Sequence, residues 1–433
     1  MMENFQYLES QYLDDYKVYS DKDYYKSDFH PQILEYSDAI ALPFKPLIEG
    51  SPNGKGGCLT SESEYINASA LEAENLMNGP YEFNIENLEK SDCNVIWGGY
   101  YLDQWGHFLV DVLPRFWFTL NKIEYDYIVL TASKNKMQLS PNIAQLLIAI
   151  GIDLNKIKFI KNPTRFKKLY VPELSMKRPH YYSAEFKMFM DHIRATVKRP
   201  ELTYDKVYLT RTGLKKAKQT EIGEKEIETI FRKNGYHIVK PEKLSFLEQL
   251  SIYADCKEIV TTSGTLPHNM IFSPSSTKWT IINRNVRINT IQFPINQLSG
   301  CEVIYIDSYI QLFPVSPTSG PYWYYISNSL IDYLRDNDLK YKIGKNGFSK
   351  SIKNTINAKK YCLKYLQYKD SSYDIGGEII ASTRPLSENT RRYNIYFSNR
   401  IKLDPIYTDL HLHSTVLRVI KNFIKFLLGK SSK

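Results

Sequence analysis

One segment, Lys206–Asn283, constrains the fold of this chain more than any other. Short apolar runs typical of buried strands alternate in it with amphipathic stretches at helical spacing. Such alternation predicts a parallel sheet with helices packed on its faces. In sheets of this kind, ligands bind in the crevice at the carboxyl ends of the strands. The predicted elements are the strands Lys206–Thr210, Tyr236–Val239, Glu258–Thr262 and Lys278–Asn283 and the helices Glu224–Lys233 and 246–254.

Upstream, the region 93–151 shows a looser version of the same alternation. It also predicts a parallel sheet with helices on its faces. Residues 1–90 are richer in tyrosine and aspartate, and turns separate their short strand-like runs. The predicted elements of region 93–151 are the strands Asn94–Trp97 and Tyr127–Thr131, a turn at Gly98–Gly99, a helical segment through Leu120 and a helix at Asn142–Ile150.

Length and composition favour an ordinary globular protein of two or three compact units. The chain has 433 residues, 43% of them hydrophobic and 24% charged, and its sequence holds no apolar run long enough to span a bilayer. Its first residues lack the pattern of a secretory signal. The cysteines form no CxxC pair, which argues against a disulfide framework or a zinc site. We therefore expect a cytoplasmic protein.

The net charge of +9 comes from the last quarter of the chain. From Lys340 onward there are 19 Lys and Arg against 6 Asp and Glu. A Pro- and Ser-rich stretch at 313–321 precedes this region and marks a domain boundary. Near the end, Thr415–Leu428 has an apolar side and a basic side at helical spacing. This pattern indicates either peripheral binding to an anionic membrane through 412–433 or a surface helix packed on its own domain.

His107 and Asp111 form the first candidate site. Being four residues apart, they share one face of a helix. There they could act as a general base, Asp111 itself or His107 supported by Asp111. Gly106, just before the histidine, allows close approach of a substrate or another backbone. The alternative is a capped or packed polar pair with no catalytic role, and spacing alone does not decide between the two.

Two loops that follow predicted strands are candidates for binding an anion. The stretch Thr261–Asn269 joins a strand to a short helical run through small hydroxyl and glycine residues, an arrangement that presents free amides to phosphate. The stretch Thr210–Lys218 holds Arg211 and several lysines, whose charges would stabilise a departing diphosphate. The alternatives are an ordinary turn between strand and helix for the first loop and a solvated basic loop for the second.

Motifs from both parts of the chain occur in a recognisable order. They are Gly98-Gly99, Gly106-His107-Phe108-Leu109, Asp111, Leu113-Pro114-Arg115, Val207-Tyr208-Leu209-Thr210-Arg211, Gly235-Tyr236, Leu244-Ser245-Phe246, Gly264, Asn269 and Phe272-Ser273-Pro274. This set resembles glycosyltransferase family 61 over about residues 56–283, in the form found in bacterial capsule, exopolysaccharide or lipopolysaccharide gene clusters. One departure is Ser263, which stands where that family often has a histidine.

The resemblance implies a GT-B architecture, in which two Rossmann-like domains face a cleft. Residues 1–200 would form the acceptor side, 201–312 the nucleotide-sugar side, and 321–433 a basic helical region. It also implies inverting transfer of a hexose or pentose from a nucleotide-sugar to a glycan or lipid-linked acceptor, with no cofactor or metal. His107 and Asp111 would be catalytic. The residues that would contact the donor are Arg211, Lys215, Lys218, Ser263, Gly264, Thr265, His268 and Asn269.

The sequence leaves two other functions open. One is a non-catalytic glycan-binding or scaffold protein on the same fold, and the other is a transferase of sugar phosphates. A nucleic-acid partner is not expected, because the basic residues do not interleave with a recognisable binding motif. Membrane binding through 412–433 would bring the protein to the inner face of the cell membrane.

Overall fold

The computed structural model describes residues 3–9, 12–20, 25–71, 76–133, 136–214, 221–310 and 322–341, and the backbone of 372–375 and 378–381. None of the helices in these ranges is long and apolar enough to cross a bilayer. The helices are α1 (Leu13–Tyr19), α2 (Trp105–His107), α3 (Pro141–Ala149), α4 (Ala184–Thr196), α5 (Glu224–Lys233), α6 (Phe246–Asp255), α7 (Gln292–Ser299) and α8 (Asn328–Asp336). The strands are β1 (Glu3–Tyr7), β2 (Ile33–Pro46), β3 (Gly54–Leu59), β4 (Tyr65–Ile66), β5 (Glu89–Tyr100), β6 (Tyr127–Thr131), β7 (Ile157–Phe159), β8 (Thr164–Pro172), β9 (Met176–Lys177), β10 (Tyr181–Tyr182), β11 (Lys206–Leu209), β12 (Glu221–Ile222), β13 (His237–Val239), β14 (Glu258–Thr262), β15 (Lys278–Asn283), β16 (Glu302–Asp307), β17 (Tyr309–Ile310), β18 (Tyr322–Tyr324), β19 (Ser372–Ile375) and β20 (Glu378–Ala381).

The first large sheet contains seven strands in the order β4-β3-β2-β8-β5-β6-β7. Strands β5, β6, β7 and β8 are parallel, whereas β2 runs antiparallel to β3 and β8. The sheet is therefore mixed and not purely parallel as expected. A short loop joins β2 to β3, and such a link allows only antiparallel pairing. Strand β2, with 14 residues, is also longer than the short runs predicted for this region.

Gly98 and Gly99 lie inside β5 and not in a turn, which corrects the sequence prediction. Gly99 has a φ of +91°, and the register with β6 shifts between Trp97 and Gly99, which marks a β-bulge. A β-carbon added to Gly98 would lie only 2.6 Å from Leu130 Cδ2, so close packing there requires glycine. Paired glycines indicate unusual backbone geometry, but sequence alone does not separate a bulge from a turn.

The second large sheet contains six parallel strands in the order β1-β16-β15-β14-β11-β13. It confirms the parallel sheet predicted from Lys206–Asn283, and both β14 and β15 have the predicted bounds. A capping box of Ser245 and Glu248 starts α6. Strand β1 pairs with β16, although the expected division placed it with residues 1–200. The rest of that division and the GT-B arrangement stay predictions.

The two large sheets share one hydrophobic core. Ile96 and Leu130 of the first sheet belong to it together with Val207 and Ile259 of the second, and all four side chains are buried. Helix α3 packs on α6, where Gln145 Oε1 accepts a hydrogen bond of 2.8 Å from the first amide of α6. Burial of this shared apolar surface holds the sheets in a fixed relation.

Of the expected C-terminal region 321–433, the structure describes α8 and the backbone of the hairpin β19–β20, besides the short strand β18. The predicted boundary at 313–321 lies outside the described residues. The amphipathic segment Thr415–Leu428 also lies outside them. Membrane binding through 412–433 therefore stays a prediction.

Candidate active site

The predicted pair of His107 and Asp111 is in contact, and Arg178 completes it as a third member. His107 Nδ1 lies 2.7 Å from Asp111 Oδ2. Arg178 Nε donates to Asp111 Oδ1, and Arg178 Nη2 lies 3.2 Å from His107 Nδ1. The side chains of Asp111 and Arg178 are 1% and 4% exposed, whereas that of His107 is 29% exposed. Only the histidine is therefore open to a ligand.

The helical segment that carries the pair is irregular. Helix α2 continues into a π-helical segment at Phe108–Val112 and then into a 3₁₀ helix at Leu113–Leu120. Single π-helical segments are frequent at functional sites. All residues of Phe108–Val112 are buried, so Asp111 lies in the interior while His107 stays at the surface.

The geometry gives His107 and Asp111 different roles. An ionised carboxylate can only accept hydrogen bonds, and a guanidinium can only donate them. The shorter contact, 2.7 Å to Asp111, favours a proton on His107 Nδ1 and the lone pair on Nε2, and the 3.2 Å approach of Arg178 Nη2 to Nδ1 is then a close contact between two donors. Asp111 is enclosed and has a partner on each oxygen. Of the two candidate bases left open by the sequence, the geometry favours His107.

Arg178 is a member of the site that the sequence did not reveal. It follows β9 and lies 67 positions after Asp111 along the chain, in a stretch that contains no motif. Arginine and aspartate are mostly surface residues. A buried pair formed between distant segments therefore leaves no local signal in the sequence.

The start of α2 contacts the loop that follows β14. The Trp105 indole donates a hydrogen bond of 2.8 Å to Asn269 Oδ1. A β-carbon added to Gly106 would lie 2.7 Å from Thr265 Cγ2, so the two segments touch at this point. The two motifs that the sequence identified separately are therefore neighbours, and His107 is next in the chain to the residue at their contact.

We expect Gly106→Ala to push these two segments apart and to lower activity. The added methyl group meets Thr265, a β-branched side chain with few alternative rotamers, and overpacking of this kind costs about 1–3 kcal/mol. Denaturant unfolding and initial rates measure the two effects. The second change Thr265→Ala removes the conflicting atoms and should restore the stability. An unchanged rate in Gly106→Ala would show that activity does not depend on this contact.

The loop after β14 and the 3₁₀ helix Leu266–Phe272 hold five of the predicted donor-binding residues. Asn269 is bonded through both amide atoms, to the Trp105 indole and to the Leu266 carbonyl. Contact of all five residues with a donor stays a prediction. Some of them are accessible to a ligand and others are buried. The partly exposed members are Ser263, Gly264 and Thr265, and the buried members are His268 and Asn269.

His268 is a buried histidine close to the His107 site. Its Nδ1 lies 3.0 Å from Gln292 Oε1. Burial lowers the pKa of His268 to about 4, the hydrogen bond with Gln292 acts in the opposite direction, and the charge of Arg178 lowers it further. His268 is therefore neutral near pH 7.

Because of the low pKa of His268, we expect the free energy of unfolding to fall in acid. Its folded pKa of about 4 lies below the usual 6.5, so the unfolded chain binds the proton first as the pH falls. Its contribution is complete above pH 6.5 and is lost between about pH 6.5 and 4, by about 1.4 kcal/mol per unit. The free energy of unfolding of the wild type and of His268→Asn is measured across this pH range. Other groups titrate in both proteins, so the difference between their slopes is the contribution of His268. Equal slopes would contradict it.

Two arginines of the second sheet meet at one carboxylate. Arg211 follows β11, and its Nε lies 2.7 Å from Glu221 Oε1. Arg284 follows β15, and its Nη1 lies 4.0 Å from the same oxygen. Arg211 is a residue predicted to bind the donor and Arg284 is not, although both directly follow a predicted strand. The predicted donor-binding residues Lys215 and Lys218 lie outside the described residues.

A cleft of about 1740 Å³ opens beside His107. Its walls come from the carboxyl ends of β5, β6 and β7 and from the turn between β2 and β3. This is the edge of a parallel sheet at which ligands bind. Both apolar rings and cationic groups line it. The aromatic residues are Phe44, Tyr81, Tyr100, Tyr101 and Phe159, and the lysines are Lys45, Lys136 and Lys161.

Residues 105–280 match the family model Glycosyltransferase 61. The match begins at α2 and ends within β15, so it includes both His107 and Gly264. This match confirms the resemblance to glycosyltransferase family 61 found in the motifs, and it supports a glycosyltransferase activity. A comparison with curated protein sequences finds no significant match.

Proposed function

We propose that the protein is an inverting glycosyltransferase that moves a hexose or pentose from a nucleotide-sugar to a glycan or lipid-linked acceptor. The pathway would be synthesis of a bacterial surface polysaccharide, which is carried over from the motif resemblance. One observation supports the proposal most. The helix bearing His107 touches the glycine loop of the other sheet through Gly106 and Thr265. A general base and a phosphate-binding loop would therefore border the same point.

The proposed reaction is a single displacement. His107 Nε2 takes the proton of an acceptor hydroxyl, and the oxygen attacks the anomeric carbon from the face opposite the leaving group. The bond from that carbon to the diphosphate oxygen breaks, and its electron pair leaves with the nucleoside diphosphate. Asp111 holds the Nδ1 proton of His107 and stabilises the imidazolium that forms. Attack from the opposite face inverts the anomeric configuration.

The donor is assigned to the second sheet, at the carboxyl ends of its strands. Arg211 would bind the diphosphate, because its guanidinium fork suits phosphate oxygens and its charge stabilises the leaving group. Ser263, Gly264 and Thr265 are the accessible part of the adjacent loop. Independence from a metal stays a prediction, as does cytoplasmic localisation.

The acceptor is assigned to the cleft beside His107. Its volume of about 1740 Å³ exceeds the roughly 300–1,000 Å³ that encloses a drug-sized ligand. It therefore suits several linked sugars better than one. The aromatic side chains in its walls offer apolar faces to sugar rings, while polar groups such as Lys45 and Gln104 can bond hydroxyl groups.

A panel of UDP-, GDP-, ADP- and dTDP-sugars tests this function. The expected result is thermal stabilisation by one nucleotide class and release of that nucleotide. NMR should show that the anomeric configuration of the product is inverted relative to the donor. A retained configuration would contradict the single displacement. No response to any nucleotide, together with polysaccharide binding, would support the glycan-binding scaffold. Transfer of phosphorus to the product in ³¹P NMR would support a sugar-phosphate transferase.

A further inference from the structure

Arg284 lies at the edge of the second sheet that also carries the glycine loop. In this sheet β14 lies between β11 and β15. The three strands are followed by Arg211, by Ser263–Gly264 and by Arg284, respectively. Because the carboxyl ends of parallel strands meet at one edge, the loop has an arginine on each side.

Two neighbours hold the Arg284 guanidinium in place. A β-carbon added to Gly264 would lie 2.7 Å from Arg284 Nη2, and Gly264 has a φ of +126°, which other residues rarely adopt. On another side, Arg284 Cζ lies 4.1 Å from the centre of the Tyr322 ring. A guanidinium fixed by the backbone and an aromatic ring loses little freedom when it binds an anion.

The two arginines already accommodate an anionic group between them. Glu221 Oε1 lies 2.7 Å from Arg211 Nε and 4.0 Å from Arg284 Nη1. Its other oxygen, Oε2, is buried without a hydrogen-bond partner among the described residues. Arg211 remains 21% exposed, so part of its guanidinium can reach a ligand.

The local charge favours binding of a further anion. Burial raises the pKa of Glu224 to about 8, although a hydrogen bond of 3.0 Å from the Arg211 amide opposes this shift. The nearby Glu228 pairs with Arg232. With Glu224 protonated near pH 7, Arg211 and Arg284 face the single carboxylate of Glu221, and the group carries an excess of positive charge.

We infer that Arg284 is a second diphosphate-binding residue. Together with Arg211, on the other side of Gly264, it would bind the two phosphates of a nucleoside diphosphate. The identity of this ligand rests on the proposed function. Arg284 lies beyond the segment 105–280 that matches the family model. Its planar guanidinium can donate two parallel hydrogen bonds to phosphate oxygens.

Isothermal titration of the full chain with inorganic pyrophosphate, UDP, GDP, ADP and dTDP tests this role. Arg284→Ala should bind pyrophosphate and the preferred nucleotide about 10- to 100-fold more weakly, the loss expected for a charge-assisted hydrogen bond. Arg284→Lys keeps the charge but loses the planar fork, so its affinity should be intermediate. The matched control is Arg287→Ala, which removes an exposed arginine three positions later and should bind as the wild type does.

The outcomes separate this inference from the proposed function. If the wild type binds a nucleoside diphosphate and folded Arg284→Ala binds it equally well, the inference is wrong and the proposed function stands. If pyrophosphate binding depends on Arg284 but no nucleotide binds, the anion site stands and sugar transfer fails. Absence of all binding to the wild type overturns both. Should Arg284→Ala not fold, wild-type affinity in Arg284→Lys would contradict the inference.

Discussion

We expect His107→Ala to lower kcat roughly 10²- to 10⁴-fold, the usual contribution of a general base, with little change in affinity for the nucleotide-sugar. The imidazole is bonded through Nδ1 to Asp111 and lines the cleft. Its removal deletes the proton acceptor but leaves the arginines and the glycine loop of the other sheet in place. Initial rates at saturating donor, together with titration of the nucleoside diphosphate, measure the two quantities.

The fold should survive His107→Ala, because Asp111 keeps its ion pair with Arg178. The matched control is His192→Ala, which removes an exposed histidine on α4 and should retain wild-type turnover. Wild-type kcat in His107→Ala would assign the base elsewhere. The His–Asp pair would then be a packed polar pair with no catalytic role.

The elements that the sequence predicted well are those set by local rules. Helix α5 and strands β14 and β15 have the predicted bounds, because apolar periodicity and flanking polar residues define them within a few positions. The capping box of Ser245 and Glu248 depends on residues three apart. The contact between His107 and Asp111 also needs only a helical turn. Each signal lies within one short segment.

The features that the sequence missed depend on residues far apart in the chain. Strand β1 pairs with β16, which places Glu3 opposite Val303. The buried pair of Arg178 and Asp111 joins positions 67 apart. No spacing rule links such residues, because the chain path between them decides whether they meet. Arg284 is different, since it directly follows a predicted strand, and the rule that selected Arg211 would have selected it too.

The antiparallel part of the first sheet was missed for another reason. Strand β2 contains both exposed and fully buried stretches, so its pattern does not show one continuous alternation. Its pairing with β8 joins residues that are distant in the chain, as in Ile33 opposite Pro172. Long-range pairing of this kind depends on the folded topology, whereas the helices and strands of Lys206–Asn283 follow one another along the chain.

Asp111→Asn is expected to destabilise the fold as well as to lower turnover. Its carboxylate is 1% exposed and pairs with an Arg178 side chain that is 4% exposed. Removal of one partner leaves the other charge buried without compensation, which costs about 3–5 kcal/mol. Denaturant unfolding measures this loss, and initial rates under conditions where the variant is folded measure turnover separately.

The double variant Asp111→Asn/Arg178→Met separates the structural role of Asp111 from its catalytic one. Because replacing both charges of a buried pair is often neutral or stabilising, much of the lost free energy of unfolding should return. Turnover should stay low, since no carboxylate then holds the Nδ1 proton of His107. Wild-type turnover in the double variant would show that His107 needs no carboxylate. A stability of Asp111→Asn within about 0.5 kcal/mol of the wild type, the range of ordinary surface substitutions, would contradict the buried ion pair.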